Sequence, residues 1–379
     1  MTYLDYRNSI TPSGPAKLLH FHWPLILIIT AIATLGWLML YSIAGGDFAR
    51  WAQPQMNRYF IGMAVLVFVG LMPIWFWQLS AWPAYAIGIL LLLYVEFFGT
   101  LGMGAQRWID LGFMMLQPSE LMKVALIMAL AAYYTRLDDR LVSHPFWVAL
   151  PVLAIMAPTA LILMQPNLGT AVMTVALGGA IMFTAGVSLW YFAVVLGGVG
   201  GVIWGIMASR GTAWQLLHDY QYRRIDTFLD PAADPLGAGY NIIQAQIALG
   251  SGGWSGKGFM QGTQSRLNFL PEKHTDFIFT TLGEEFGYLG AISLLALYAL
   301  VLVFCIWAAL RNKDRFSQLL IIGVAVNFFL YIAINLSMVM GMAPVVGVPL
   351  PLLSYGGSAT LVVMIAFGLL QSAIVHRPR

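Results

Sequence analysis

Charge is what this sequence has least of. Only 9% of its 379 residues are Asp, Glu, Lys or Arg, whereas a soluble chain carries about 25%. So few charges cannot cover a water-facing surface, which excludes a soluble globular enzyme and implies a polytopic membrane protein. Cysteine is nearly absent: Cys305 stands alone inside an apolar run, so no disulfide framework holds the outer loops. The net charge of +3 is too small to imply a nucleic-acid partner. No second His or Cys stands at ligand spacing from His274, which argues against structural zinc. Heptads, low-complexity tails and tandem repeats are also missing. A cleaved signal peptide is not expected, because the polar stretch up to His22 leads into an apolar run long enough to span.

Apolar length is what the chain has in abundance, with 60% hydrophobic residues. A bilayer core takes about 20 apolar residues per helix. Runs near 23–44, 58–78, 82–98, 118–135, 147–164, 168–186, 190–208, 277–310, 316–340 and 356–375 qualify. They predict an all-α membrane domain over 1–379 with about ten transmembrane helices. The third run is short, and the eighth exceeds one crossing, so part of it is expected in the interface. With the N-terminus inside, cytoplasmic segments hold Arg7, Lys17, Arg136, Arg140, Arg311, Lys313, Arg315, Arg377 and Arg379. Short outer loops hold only Arg50, Arg58 and Arg107. That bias places both termini in the cytoplasm and the long 209–276 loop outside. Within it, Tyr240 to Leu249 reads as an amphipathic helix lying on the membrane.

Polar residues concentrate at the outer ends of spans. Phe269-Leu-Pro-Glu-Lys-His-Thr-Asp276 packs Glu272, Lys273, His274, Thr275 and Asp276 against the start of a new apolar run. Either this is an ordinary polar flank, or Asp276 is a general base whose pKa partial burial raises. Glu120 and Lys123 share one helical face at i,i+3 spacing. They are a self-neutralising structural pair, or Lys123 faces a polar cavity and orients a carboxylate or phosphate. Gly250-Ser-Gly-Gly-Trp-Ser-Gly-Lys-Gly258 fails as a phosphate loop, because Ser251 replaces the first Gly and Gly258 the closing Ser or Thr. Its exposed N–H groups around Lys257 remain a weaker phosphate candidate beside a flexible connector. Asp or Glu oxygens leave a hard cation open. Gln165-Pro-Asn-Leu-Gly-Thr170 and the 341–358 turns converge on the same outer face, as in a lipid-linked substrate site or a transporter vestibule.

These motifs, with Gly237-Ala-Gly-Tyr-Asn-Ile-Ile-Gln244, Gly262-Thr-Gln264, Gln106-Arg-Trp-Ile-Asp-Leu-Gly112, Gln117-Pro-Ser-Glu120 and Pro344 through Ser358, resemble the SEDS family (shape, elongation, division and sporulation). The likeness covers essentially the whole chain and is closest to the family's rod-shape members. It implies a peptidoglycan glycosyltransferase of the bacterial inner membrane. Such an enzyme polymerises lipid II outside during cell elongation, with a class B penicillin-binding protein and other cell-elongation proteins as partners. It places the essential carboxylate at Asp276 and the charged pair at Glu120 and Lys123. Two departures stand out: Asn167 where the family usually has Asp, and Lys273 where Arg is frequent, which loses a bidentate fork.

The expected reaction is attack by an acceptor 4-hydroxyl on the anomeric carbon of a diphosphate-linked donor. Asp276 serves as base or as ligand of a divalent cation (Mg or Mn), and no organic cofactor is expected. Arg223, Lys257 and Arg266 are candidate phosphate contacts, and Lys273 and His274 are candidate cavity residues. A lipid-linked precursor flippase is the alternative. It needs charge through to the inner side, yet Glu96, Glu120, Lys123, Glu284 and Glu285 all lie in outer halves. A non-catalytic scaffold is the third reading.

Overall fold

The computed structural model describes residues 14–102, 105–112, 114–212, 239–267, 270 and 272–377, with positions 215, 216, 222, 226 and 229 between. Ten long helices among them fall where the apolar runs do. They are α1 (Trp23–Ile43), α2 (Ala52–Leu71), α3 (Ile74–Phe98), α4 (Pro118–Arg136), α5 (Pro145–Met164), α6 (Leu168–Thr184), α7 (Leu189–Ala208), α10 (Ile278–Arg311), α11 (Arg315–Val339) and α12 (Gly357–Val375). Seven are long and apolar enough to cross a membrane. The 17-residue α6 is shorter, and α2 and α4 are more polar. The protein is an all-α polytopic membrane protein.

Local chemistry sets the ends. Pro118 and Pro145 open α4 and α5 at the first helical position, where no N–H is missed. Asn167, Ser188 and Asp314 accept backbone N–H groups as N-caps of α6, α7 and α11. The second span lies earlier than its apolar run suggests. Pro73 stops α2 at Leu71, and α2 begins in the polar stretch at Ala52 because Gln55 is buried inside the protein. The third span is correspondingly longer, with Pro83 inside a 25-residue helix. α4, α11 and α12 are the most enclosed helices, and α7 buries no residue at all.

Two features depart from the expected layout. A small antiparallel sheet, β1 (Thr100–Gly102), β2 (Ala105–Asp110) and β3 (Met115–Leu116), links α3 to α4. The helix expected on the membrane exists as α8 (Tyr240–Ser251), but it docks on protein. Ile242, Ala245 and Ala248 are buried, and Gln246 Nε2 donates to the Met340 carbonyl at 3.1 Å.

The eighth span is two helices joined at a break. Gly287 has φ 64° and ψ −159°, which no helix contains. The glycine-rich loop repairs the break. Lys257 N and Gly258 N donate to the Glu284 and Glu285 carbonyls, each at 3.0 Å, while Tyr288 N and Leu289 N donate to Gly253 and Trp254 carbonyls. A Cβ on Gly256 would lie 2.1 Å from the Glu285 oxygen, so only glycine allows this approach. The Lys257 and Gly258 N–H groups are therefore spent on the helix.

Candidate active site

Asp276 lies in the turn between the long loop and α10, locked to the 341–356 segment by backbone groups. Asn335 of α11 donates Nδ2 to both the Asp276 and Val348 carbonyls at 2.7 Å. Ser354 Oγ donates to the Thr275 carbonyl at 2.6 Å, and Tyr355 N to the His274 carbonyl at 2.9 Å. Gln55 of α2 continues the lattice: its Nε2 donates to the Ser354 carbonyl, and its Oε1 accepts from Gly356 N. Gly347, at φ 66°, lets the backbone pass close to the carboxylate, since a Cβ there would sit 3.4 Å from Asp276 Oδ2.

The carboxylate faces a cavity of about 200 Å³. Seven elements or stretches contribute to its wall, among them Arg107 and Trp108 from β2, Glu120 from α4, Asn167 and Thr170 from the start of α6, and Tyr331 from α11. Glu272, Thr275 and Asp276 come from the turn, and the 347–349 and 355–359 stretches close it. Burial, reinforced by the Glu272 carboxylate, pushes the Asp276 carboxyl up to about 6. Among the described residues no cation offsets that shift, so the group titrates near neutrality, where a general base works best.

Glu120 and Lys123 exchange their expected roles. Lys123 is wholly buried behind the wall and donates Nζ to Glu120 Oε1 at 2.9 Å and to Tyr331 Oη at 2.6 Å. Its ammonium also rests 4.1 Å from the Tyr331 ring centre. Glu120 is the member that reaches the cavity. Lys123 therefore neutralises Glu120 and positions Tyr331, because an ion this buried requires close partners.

The remaining candidates separate. His274 turns away to stack on Trp51, with ring centres 4.2 Å apart, and burial lowers its pKa, keeping it neutral at pH 7. Burial and nearby Arg50 lower the pKa of Lys273 as well. Neither residue is in the described cavity wall. Lys257 is held by its own chain: its Nζ donates to Glu284 Oε1 at 2.6 Å, and the same oxygen accepts from Thr263 N and Gln264 N. Arg266 ends the short helix α9 (Thr263–Arg266). Its side chain and Arg223 lie outside the described residues. Asn167 keeps a capping role, accepting Thr170 N on Oδ1.

Sequence reasoning missed Gln55, Arg107, Tyr331 and Asn335 as parts of the site. Asn335 was the most legible, as an amide inside the apolar 316–340 run. Arg107 entered the orientation count and a family motif but not the site, yet the sheet carries it into the wall, where Nε donates to the Gln165 carbonyl at 2.9 Å.

The family described as "Cell cycle protein" (FtsW/RodA/SpoVE) matches residues 22–378. Peptidoglycan glycosyltransferase MrdB of Escherichia coli (strain K12) is 39% identical over 359 residues, 94% of each chain. Probable peptidoglycan glycosyltransferase FtsW of Trichlorobacter lovleyi is 33% identical, over 94% of this chain and 93% of the relative. A solved structure described as "Structural coordination of polymerization and crosslinking by a peptidoglycan synthase complex" superposes with TM-score 0.79 at 28% identity, covering 94% and 97%. The rod shape determining protein RodA of Thermus thermophilus superposes with TM-score 0.70 at 26% identity, covering 95% and 98%.

Proposed function

The chain belongs to the FtsW/RodA/SpoVE family, and we propose that it is a peptidoglycan glycosyltransferase that polymerises lipid II at the outer face of the inner membrane during elongation. The observation that carries this reading is Asp276: a partly enclosed carboxylate, raised to about 6, in a cavity walled by several helices and turns. The family relatives named as glycosyltransferases support it.

In this mechanism the acceptor's 4-hydroxyl enters beside Asp276. The carboxylate takes its proton as the oxygen attacks the donor's anomeric carbon, and the bond to the diphosphate breaks. Glu120 and Tyr331, fixed by Lys123, shape the wall beside the sugars. α4 below Lys123 buries only apolar residues from Val124 to Ala132. That supports surface chemistry over the charged inward path a flippase needs.

A divalent cation, Mg or Mn, fits as a second role for the same carboxylate. Among the described residues no three metal-ligating side chains converge, but Asp276 and Glu272 line one cavity. One or two carboxylates completed by substrate phosphates is how Mg²⁺ is usually held. When bound, the cation would offset the departing diphosphate's charge. The cross-linking partner is taken to be a class B penicillin-binding protein within the elongation machinery, in keeping with the polymerization and crosslinking complex it superposes on. Both termini are assigned to the cytoplasm.

The decisive experiment is glycan synthesis from lipid II by purified protein with its partner. Asp276→Asn is expected to abolish polymer while leaving the melting curve and partner binding intact. Polymer from that variant at more than a few per cent of wild type removes Asp276 from catalysis. Loss of wild-type activity on chelation, restored by Mg or Mn, assigns the cation role.

A further inference from the structure

One stretch of the cavity wall, at the start of α6, gathers an amide and a guanidinium donor. Asn167 is buried, at 5% exposure, and lines the cavity. Its Oδ1 accepts from Thr170 N at 3.4 Å, capping α6. That bond fixes the amide orientation, because the flipped amide would set its NH₂ against the Thr170 N–H, donor against donor. Nδ2 therefore points off the helix, with two N–H groups that have no acceptor among the described residues. Beside it, Arg107 spends Nε on the Gln165 carbonyl and Nη2 on the Pro166 carbonyl, the two residues just before Asn167. Nη1 remains over, and Arg107 is the sole cation among the described lining residues. The positive end of the α6 dipole adds to the same spot.

While no cation is bound, Asp276 and Glu272 make the turn side of the cavity negative, so an anion entering it is drawn to the start of α6. We propose that Asn167 and Arg107 form the subsite for the diphosphate of the lipid-linked donor, with Asn167 Nδ2–H donating to a phosphate oxygen. This assignment rests on the glycosyl-transfer reading and deepens it. As the bond from the anomeric carbon to the phosphate oxygen breaks, that oxygen keeps the electron pair. Asn167 and Arg107 hold the charge that builds there and give up no proton. An Asn at this cap, rather than an Asp, then adds a donor and withholds a repelling charge.

The test uses the full chain carrying Asn167→Asp or Asn167→Ser. Both residues cap helices well, so the fold is expected to survive. Two arms are read: binding of a polyprenyl diphosphate against the corresponding polyprenyl alcohol, and kcat/KM for glycan synthesis with the partner present. Asn167→Asp is expected to keep the wild-type Tm, weaken diphosphate binding at least tenfold and leave alcohol binding unchanged. Asn167→Ser should fall between, and kcat/KM should fall in the same order. Wild-type diphosphate binding by Asn167→Asp at unchanged Tm reduces Asn167 to a helix cap and overturns the subsite. Diphosphate binding that depends on Asn167 in a wild-type protein that makes no glycan overturns the glycosyl-transfer reading instead and leaves the subsite standing.

Discussion

Asp276 shows how much a single position owes to its surroundings. Its neighbours Lys273 and His274 would lower its pKa if their cationic forms faced it. The turn sends His274 onto Trp51 instead, and burial with Glu272 raises the carboxyl. The sign of the shift sets a pH dependence. Below about 6 the group is protonated and cannot act as base; above it the carboxylate is available. If Asp276 is the base, kcat/KM for polymer synthesis rises through a midpoint near pH 6 and levels off above pH 7. Glu272→Gln removes the negative charge that favours the protonated form, so the midpoint moves down. A pH–rate profile on both proteins checks this, and a midpoint unmoved or moved up contradicts the electrostatic account. Residue types placed Asp276 at a membrane edge, and the resemblance singled it out. Chain order could not reveal which neighbours face it, because Glu120, Arg107 and Asn167 arrive from three other elements.

The glycine-rich loop and α10 form one unit at the next scale. A break at Gly287 would strand the Glu284 and Glu285 carbonyls and the Tyr288 and Leu289 N–H groups, and at membrane depth such groups are costly. The loop supplies all four partners, and Lys257 adds a side-chain anchor to Glu284, which is 1% exposed. Lys257 is therefore a stability residue. Lys257→Met leaves a buried carboxylate without its cation and is expected to cost about 3 kcal/mol in thermal or denaturant unfolding. Lys257→Met with Glu284→Gln should cost clearly less than the two single changes added together. A variant with unchanged Tm but a raised KM for lipid II would return Lys257 to the list of phosphate contacts. Glycine spacing announced an unusual backbone here. It gave no sign that the ligand of that backbone was the chain's own broken helix.

Helix count and order were legible across the whole molecule because the signal is additive: each span must fill about 30 Å of hydrocarbon with apolar residues. The boundary error fell where tertiary burial shelters a polar side chain, Gln55 at the start of α2. Hydropathy cannot separate a polar residue facing water from one facing the core. Orientation rests on a subtler count, the Lys and Arg excess in the loops assigned to the inside. It determines whether the Asp276 cavity opens toward exported lipid II. The chain's chemistry makes that directly measurable. Cys305 is fully buried, so the wild-type thiol is expected to stay silent to a membrane-impermeant maleimide. Asp110, exposed at the end of β2, and Lys313, exposed between α10 and α11, lie in segments assigned to opposite sides. Asp110→Cys should label in intact cells, and Lys313→Cys only after permeabilisation. The reverse pattern would put the cavity in the cytoplasm, beyond the reach of an outward-facing glycan strand. It would also make the Arg excess in the α10–α11 loop an exception to the positive-inside rule.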